Sequence, residues 1–357
     1  MRLRVIDFGY VSALRSQAVY HGLAETMTED SDPILSLVSP ADPYVCVGIH
    51  QDIAHEVDTE FCTANNLPIY RRHVGGGAVY LDENQLFTHF IYPQGKAPEF
   101  ATNLYPLFIE PVVRTYQEMG INAVYRPIND IQVDGRKIGG TGAASIADAT
   151  VMVGSFMIDF DVATMSKCLK VPSEKFRDKV RQTMEDYMTT IIKLTGAQPD
   201  RADLKARFLG HCADVLGVTP EYSELTKAEL AAIDRAEAQL ADPEWTDVQK
   251  RKLVALGVKV SADTHVTEAA HKAPGGMIKV SLVDHEGTLE DVVISGDFTC
   301  LPPDGVDRLA AKLRGAKLTQ DELAEAAHKA IEALGIELPG VAADDIATAV
   351  MAAVQPA

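Results

Sequence analysis

The chain has 357 residues, of which 46% are hydrophobic and 24% are charged, a composition typical of a soluble globular protein. This length exceeds one ordinary domain and predicts two. The formal net charge of -18 disfavours general binding to nucleic acid or to an anionic membrane surface, because both need a basic face. We therefore expect neither kind of partner, and the acidity is best explained by solubility.

The cysteines and the N-terminus indicate the compartment. The five cysteines are odd in number, scattered and without C-x-x-C spacing, which fits a reducing cytoplasm and predicts no zinc or disulfide framework. No stretch approaches the ~20 apolar residues that span a bilayer. The first residues, MRLRVID, lack the apolar region of a signal peptide. We expect a cytoplasmic protein that acts as a monomer.

Strands and helices are mixed in the first half of the chain. Short β-rich runs occupy 44–48, 86–91 and 121–125. Leu104, Phe108, Val112 and Tyr116 recur at i+4 spacing and predict a helix over 99–119.

Clear turn and cap signals follow this helix. Asp134-Gly135, between β-like runs at 130–133 and 136–138, predicts a hairpin. A strand is predicted at 151–160. Ser173, which follows a proline, predicts the start of a helix that runs to about residue 192.

The second half begins as helices and then changes character. Helices are predicted at 204–216 and 227–240. A Pro-Gly-Gly loop at 273–276 then precedes alternating strands at 277–283 and 292–295. Further helices are predicted at about 304–314, 320–334 and 343–354. A hairpin with helices, set off by Pro and Gly, predicts a small second domain that begins near 256–260.

The first chemical signal is a triple glycine preceded by two arginines, in the sequence Arg71-Arg72-His73-Val74-Gly75-Gly76-Gly77-Ala78-Val79-Tyr80. Three glycines remove every Cβ, so a ligand can approach the backbone N–H groups. The arginines could bind a phosphate or a carboxylate in a bidentate way. The alternative is a flexible loop beside solvated arginines.

The second signal lies on the predicted hairpin. Asn129-Asp130 precedes the turn, and Lys137 begins the return strand that leads into Gly139-Gly140-Thr141-Gly142-Ala143. A lysine here could stabilise the charge that develops when a carboxylate attacks the α-phosphate of ATP. Taken alone, a surface hairpin with an exposed lysine is the alternative.

Together the two segments resemble the lipoate–protein ligase A family, within the biotin/lipoate protein ligase superfamily. Other stretches agree in the same order: 44–51 (YVCVGIHQ), Asp82 with Asn84, Glu244-Trp245 and Gly296-Asp297-Phe298. The resemblance covers most of the chain.

The resemblance implies an α+β fold. A mixed β-sheet with flanking helices, shared with the biotin ligases, would form a catalytic domain at residues 1–255. A small C-terminal α/β accessory domain would occupy 256–357. Lipoate and ATP would form lipoyl-adenylate and pyrophosphate with Mg²⁺. The acyl group would then pass to a lysine of a lipoyl domain or a similar lipoate-binding carrier protein.

The resemblance also implies roles for individual residues. Lys137 would be the catalytic residue, in contact with the acyl carbonyl and the α-phosphate. Asn129 and Asp130 would orient phosphate and metal, with Asp130 as the candidate metal ligand. The residues expected to line the acyl-adenylate or its adenine are Arg72, His73, Gly75, Gly76, Gly77, Ala78, Val79, Tyr80, Gly142 and Ala143.

Three departures from the family pattern bear on the acyl group. Gly139 stands where a serine is frequent, His73 replaces a smaller residue, and 151–155 lacks the histidine pair that many members use in the acyl pocket. Lipoate is favoured, and octanoate or another medium-chain acid stays open. Lys175 is a further candidate contact to the adenylate.

Two other functions remain as alternatives. An octanoyl- or lipoyltransferase of the same superfamily needs no ATP and uses a cysteine thioester. Its cysteine should lie shortly before the hairpin or near the 151–155 strand, and neither place supplies one. A non-catalytic carrier-binding homologue is disfavoured, because packing does not require Arg72, Lys137 or the glycines.

Overall fold

A computed structural model describes residues 1–258 and 266–354. Residues 259–265, which include part of the predicted domain boundary, lie outside the described residues. The strands are β1 (Arg2–Val11), β2 (Ile34–Pro40), β3 (Tyr44–Val47), β4 (Ile69–Arg71), β5 (Val79–Leu81), β6 (Gln85–Pro93), β7 (Val124–Arg126), β8 (Asp130–Val133), β9 (Arg136–Ile146), β10 (Ala149–Met157), β11 (Thr219–Tyr222), β12 (Val266–Ala273), β13 (Gly276–His285) and β14 (Thr288–Gly296).

Helices alternate with these strands along the chain. They are α1 (Ala13–Glu25), α2 (Ile53–Glu56), α3 (Thr59–Ala64), α4 (Ala101–Glu118), α5 (Val162–Cys168), α6 (Glu174–Tyr187), α7 (Ile191–Thr195), α8 (Arg201–Leu216), α9 (Lys227–Leu240), α10 (Pro243–Thr246), α11 (Val248–Val258), α12 (Gly305–Leu313), α13 (Gln320–Leu334) and α14 (Ala343–Val354). No helix among residues 1–258 and 266–354 combines the length and the apolar character that a membrane span needs.

The chain divides into two compact units. The first comprises Met1–Cys46, Val57–Tyr70 and Val79–Asp242, and the second comprises Val47–Glu56, Arg71–Ala78 and Pro243–Ala357. The triple-glycine segment therefore belongs to the unit that also contains the C-terminal strands and helices. Helix α11 runs across the predicted boundary between residues 255 and 256, and the division into a catalytic and an accessory domain stays a prediction.

An eight-stranded mixed sheet forms the centre of the first unit. Its order is β11-β1-β2-β6-β10-β9-β8-β7, with β11, β1 and β2 parallel and the remaining neighbours antiparallel. Strands β2 and β6 are buried along their whole length, so both faces of the sheet are covered at its centre. Strands β4, β3 and β5 form a separate small sheet.

Helices cover this sheet through close packing. Phe108 of α4 and Phe208 of α8 both contact Phe90 of β6, with ring centroids 4.9 and 6.0 Å apart. Helix α1 lies directly against α9 at Gly22, where a Cβ would stand 2.5 Å from the backbone of Ile233. A side chain there would therefore force the two helices apart.

A short extended break divides the helix predicted from Ser173 to about residue 192. Ser173 caps α6 as predicted, since its side chain accepts from the Phe176 amide. The helix ends at Tyr187, because Met188 has an extended backbone and forms a β-bridge with Lys137. Thr190 then caps the separate helix α7. The tertiary partner at Lys137 therefore overrides local helix propensity.

The C-terminal part of the second unit is a three-stranded antiparallel sheet, β12-β13-β14, with helices α12, α13 and α14. Ile278, Leu282 and Ile294 from the sheet share one hydrophobic core with Leu309 and Val350 from the helices. The predicted fold class, a mixed sheet with flanking helices plus a small C-terminal α/β region, is confirmed. Strand β12 was not predicted from the sequence.

Candidate functional site

The predicted hairpin forms and places Lys137 beside Asp130. Asp134 and Gly135 take positive φ values of 49° and 77°, which give the tight turn between β8 and β9. The Lys137 Nζ lies 2.6 Å from the Asp130 Oδ1. The Lys137 side chain keeps 29% of its exposure, so it is only partly buried.

Two neighbouring residues shape the space around Lys137. A Cβ on Gly140 would lie 3.2 Å from both Cε and Nζ of Lys137, so the glycine lets the lysine chain lie close to its own strand. Asn129 is held by Thr141: its Nδ2 donates to the Thr141 carbonyl (3.0 Å), and the Thr141 amide donates to the Asn129 carbonyl (2.9 Å). Asn129 is thereby anchored to β9, and it precedes Asp130, the partner of Lys137.

Gly142 and Ala143 lie further along the strand that carries Lys137. They pair with Val153 and Met152 of β10, and both are buried. They occupy the interior of the large sheet, and their predicted contact with adenosine or acyl chain stays a prediction.

The structure adds two residues that the sequence did not single out. The Tyr187 hydroxyl donates to the Asp130 Oδ2 (3.1 Å), and the Gln132 Nε2 donates to the Tyr187 oxygen (3.0 Å). Gln132 is on the hairpin, but Tyr187 lies fifty residues beyond Lys137. No local pattern could connect it with the hairpin.

In the second unit, Arg71 anchors the start of the triple-glycine segment. Its side chain is 1% exposed. The Nη1 donates to the carbonyls of Gly48, Ile49 and Gln51 at 2.7–3.0 Å, and the Nε and Nη2 donate to the carbonyl of Thr246. Arg71 therefore joins two separate segments of backbone to the loop.

Arg72 closes the glycine loop itself. Its Nη2 donates to the carbonyls of Gly75 (2.7 Å) and Gly77 (2.9 Å). The loop carbonyls are thereby turned towards the guanidinium group. Arg72, Gly75 and Gly77 therefore lie together in the loop, and their contact with an acyl-adenylate stays a prediction.

The expectation that packing does not require the glycines is wrong for two of the three, which are required by space or conformation. A Cβ on Gly75 would lie 2.4 Å from the carbonyl oxygen of Phe298, and Gly76 has a φ of +94°. A Cβ on Gly77 would meet nothing closer than 3.9 Å. The Gly76 amide also donates to the Phe298 carbonyl at 3.4 Å. The Gly296-Asp297-Phe298 segment thus packs directly on the loop.

His73 stacks on Trp245, with ring centroids 4.1 Å apart, and the Trp245 Nε1 donates to the Arg71 carbonyl at 2.9 Å. Ala78 ends this part of the second unit, and Val79 and Tyr80 belong to β5 of the first unit. Arg72 and Lys137 likewise belong to different units, so their convergence on one cavity stays a prediction.

The cysteines are all among the described residues, and all five are buried: Cys46, Cys62, Cys168, Cys212 and Cys300. The hydrogen bond with Cys62 and burial raise the pKa of Cys168, and the same bond lowers that of Cys62. Burial raises the pKa of Cys212, and raises that of Cys300 to about 12. None of these thiols is placed on the hairpin or on β10.

Two family models match this chain. The model of the lipoyl protein ligase A/B catalytic domain matches residues 12–213, and that of the bacterial lipoate protein ligase C-terminus matches residues 265–349. Lipoate-protein ligase LplJ of Bacillus subtilis is 26% identical over 259 residues, which cover 72% of this chain and 73% of that protein. Octanoyltransferase LipM of Kyrpidia tusciae is 25% identical over 238 residues, covering 60% and 86%.

Solved structures of low sequence identity share the fold. LipL1 of P. falciparum in complex with lipoate has a TM-score of 0.67 at 15% identity, covering 91% of this chain and 93% of that chain. The bipartite lipoate protein ligase of Thermoplasma acidophilum has a TM-score of 0.64 at 22% identity, covering 69% and 96%. A lipoate-protein ligase A bound with ATP has a TM-score of 0.59 at 20% identity, covering 69% and 98%.

The catalytic-domain model spans more than half of the chain, and the relatives matched over most of their length are enzymes of lipoate or octanoate transfer. The chain therefore belongs to the lipoyl protein ligase A/B family, whose matched members include both lipoate ligases and octanoyltransferases.

Proposed function

We propose that this enzyme is an ATP-dependent lipoate–protein ligase, which activates lipoate or a medium-chain analogue as acyl-AMP and transfers it to a lysine of a carrier domain. The observation that carries the choice of a ligase is the burial of all five cysteines, none of which lies on the hairpin or on β10. A thioester mechanism needs an accessible thiolate. The C-terminal match to a model of ligases supports the same choice.

The first half-reaction joins two anions. A carboxylate oxygen of the acid attacks the α-phosphorus of ATP, and the bond from that phosphorus to the pyrophosphate oxygen breaks. Negative charge concentrates on the α-phosphate oxygens as the new bond forms. Lys137, paired with Asp130 and partly exposed, would turn its ammonium to these oxygens, because fixed positive charge stabilises such a transition state.

The triple-glycine loop would bind the adenylate through its backbone. Arg72 holds the carbonyls of Gly75 and Gly77, which orders the loop before any ligand arrives. Such preorganisation lowers the entropy cost of binding. We propose that Arg72, His73, Gly75–Gly77, Ala78, Val79 and Tyr80 line the adenylate, with Gly142 and Ala143 beside it.

Magnesium would enter with ATP. Within residues 1–258 and 266–354, no group of three or more His, Cys, Asp or Glu side chains could hold a metal ion. Mg²⁺ nevertheless commonly binds through one or two carboxylates together with phosphates and water. Asp130, whose side chain is 21% exposed, fits that role, and Asn129 would orient the phosphate.

In the second half-reaction, the amine of a carrier lysine attacks the acyl carbonyl and AMP leaves, while the amine loses its proton to solvent. The acceptor would be a lipoyl domain, since the similar archaeal ligase is described together with its E2 lipoyl domain. We further propose a cytoplasmic monomer with a catalytic domain at 1–255 and an accessory domain at 256–357.

Intact-mass analysis of a lipoyl domain after incubation with the enzyme tests this proposal. We expect addition of one lipoyl group that requires lipoate, ATP and magnesium together. A double Cys62→Ala, Cys168→Ala variant should retain the reaction. An ATP-independent transfer from an octanoyl-carrier protein, lost when a cysteine is replaced, would instead identify the transferase alternative that the LipM relative represents.

A further inference from the structure

We propose that Tyr187 is a positioning residue that holds the Asp130–Lys137 ion pair in place for adenylate formation. The catalytic consequence rests on the proposed function, whereas the positioning of Lys137 does not. Tyr187 is the last residue of α6, at the break in the predicted long helix. Three features give Tyr187 this role: the direction of its hydrogen bonds, the double anchoring of Asp130 and the attachment of the following backbone.

The direction of the hydrogen bonds is fixed by chemistry. The Gln132 Nε2 is a donor, so at 3.0 Å the Tyr187 oxygen accepts from it. A phenol has one proton, and that proton is then directed to the Asp130 Oδ2 at 3.1 Å. Gln132 is 4% exposed, so the amide that orients the phenol is buried, whereas Tyr187 itself is 39% exposed.

Asp130 is therefore held at both oxygens. Its Oδ1 pairs with the Lys137 Nζ at 2.6 Å while its Oδ2 accepts from Tyr187. A carboxylate with a partner on each oxygen cannot rotate freely, so the position of the lysine ammonium is fixed through Asp130. Without Tyr187, the ion pair would behave as an ordinary mobile surface pair.

The backbone after Tyr187 holds Lys137 from another side. Met188 forms a parallel β-bridge with Lys137, and the Thr189 amide donates to the Lys137 carbonyl at 2.9 Å. Tyr187 therefore contacts Asp130, the partner of the Lys137 side chain, and the next two residues contact the Lys137 backbone. The break in the helix allows the backbone that follows Tyr187 to pair with the hairpin strand that carries Lys137.

The test compares Tyr187→Phe with the matched control Tyr222→Phe. Tyr222 is 63% exposed and lies on β11, at the opposite edge of the large sheet from the hairpin. The first readout is acetylation of lysines by a limiting amount of acetic anhydride, followed by peptide mass spectrometry. An ammonium held in an ion pair reacts slowly, so loss of the Tyr187 hydroxyl should speed labelling of Lys137 by about threefold.

A second lysine in the same protein and two further variants serve as controls for the labelling of Lys137. Lys205, paired with Asp7 at 2.7 Å, should label at the same rate in every variant. Because Tyr187 acts through Asp130, Tyr187→Phe should cause no further increase in Lys137 labelling when it is added to Asp130→Ala. The double variant is therefore compared with the Asp130→Ala single variant. Gln132→Met, which removes the group that orients the phenol, should give a smaller increase in the same direction.

The second readout is lipoate-dependent exchange of label between pyrophosphate and ATP. For Tyr187→Phe we expect kcat to fall about tenfold while KM for lipoate stays within about twofold, because the lost contact supports the transition state. Replacement of a residue that only stabilised the fold would not lower kcat selectively over KM for lipoate. It would also leave the labelling rate of Lys137 relative to Lys205 unchanged.

The outcomes separate the two proposals. Faster Lys137 labelling in Tyr187→Phe supports the positioning role even if the wild-type protein shows no exchange, in which case the proposed function fails alone. Unchanged labelling in both Tyr187→Phe and Gln132→Met, in protein that exchanges label normally, overturns the positioning role and leaves the ligase intact.

Discussion

The hairpin at 130–137 and the loop at 71–77 both present cations next to glycines, but they hold those cations differently. In the hairpin, the Lys137 ammonium is paired with a carboxylate, and the lysine side chain remains 29% exposed. In the loop, the Arg71 guanidinium is buried against backbone carbonyls, and Arg72 also donates to carbonyls. A carboxylate partner can be exchanged for a phosphate, whereas carbonyls that lose a buried donor are left unsatisfied.

This difference assigns separate tasks to two similar patterns. The hairpin cation is available to a ligand, so changes there should alter chemistry and leave the fold intact. The Arg71 cation is part of the structure, so changes there should alter stability. Arg72 is intermediate, because it orders a glycine loop that a ligand would approach.

Replacement of Lys137 should give the largest effect. We expect Lys137→Ala to lower the rate of lipoate-dependent pyrophosphate exchange by about 10³-fold, since a charge that stabilises the transition state is lost. The unfolding midpoint should change little. Lys205→Ala, which removes a lysine from the Asp7 ion pair, is the matched control and should keep full exchange. Normal exchange by Lys137→Ala would remove this residue from the mechanism.

Replacement of Arg71 should lower the free energy of unfolding, in contrast to replacement of Lys137. Arg71→Met leaves the carbonyls of Gly48, Ile49, Gln51 and Thr246 without their donor, which we expect to cost about 4 kcal/mol. Urea unfolding followed by the fluorescence of Trp245, the only tryptophan, measures this directly. Arg72→Met should cost about 1 kcal/mol. Equal costs for the two arginines would contradict the assignment.

The glycines allow a finer test within the loop. Gly75→Ala would place a Cβ 2.4 Å from the Phe298 carbonyl oxygen, so backbone must shift, at a cost of about 3 kcal/mol. Gly77→Ala meets nothing closer than 3.9 Å and should change the free energy of unfolding by less than about 0.5 kcal/mol. Thermal unfolding of both variants checks the contrast, which equal midpoints would refute.

Lowering the pH should reduce the stability of both units, because each contains a buried histidine. Burial lowers the pKa of His89, in β6, and of His50, in the second unit, to about 3. The unfolded chain binds these protons near pH 6.5 and the folded chain does not, so stability is lost as pH falls below 6.5. For each histidine the loss from pH 7 to pH 5 is about 2 kcal/mol.

A His89→Gln variant separates the two units in this test. It should flatten the acid dependence of amide hydrogen exchange in β6 and leave that of the loop at 71–77 unchanged. The neutral amide can still pair with Ser36, whose Oγ lies 2.9 Å from the His89 Nδ1. An unaltered slope in β6 would show that His89 titrates normally in the folded protein.

Local patterns predicted much of this protein. The i+4 repeat of Leu104, Phe108 and Val112 predicted the helix observed at Ala101–Glu118, and Asp134-Gly135 predicted the observed hairpin. Ser173 gave the correct helix start. These features succeed because turns, caps and amphipathic periods are decided by residues within a few positions of one another. The family resemblance likewise followed from contiguous motifs.

Only the tertiary structure decided how the cations are held and where α6 ends. Tyr187 reaches Asp130 across fifty-seven residues of sequence, and Arg71 reaches Thr246 across 175. The helix stops at Tyr187 because Met188 and Thr189 find backbone partners at Lys137. Neither Met188 nor Thr189 carries a local sequence signal for these contacts. The free energy of such hydrogen bonds depends on which distant groups folding brings together, and that is a property of the packed chain.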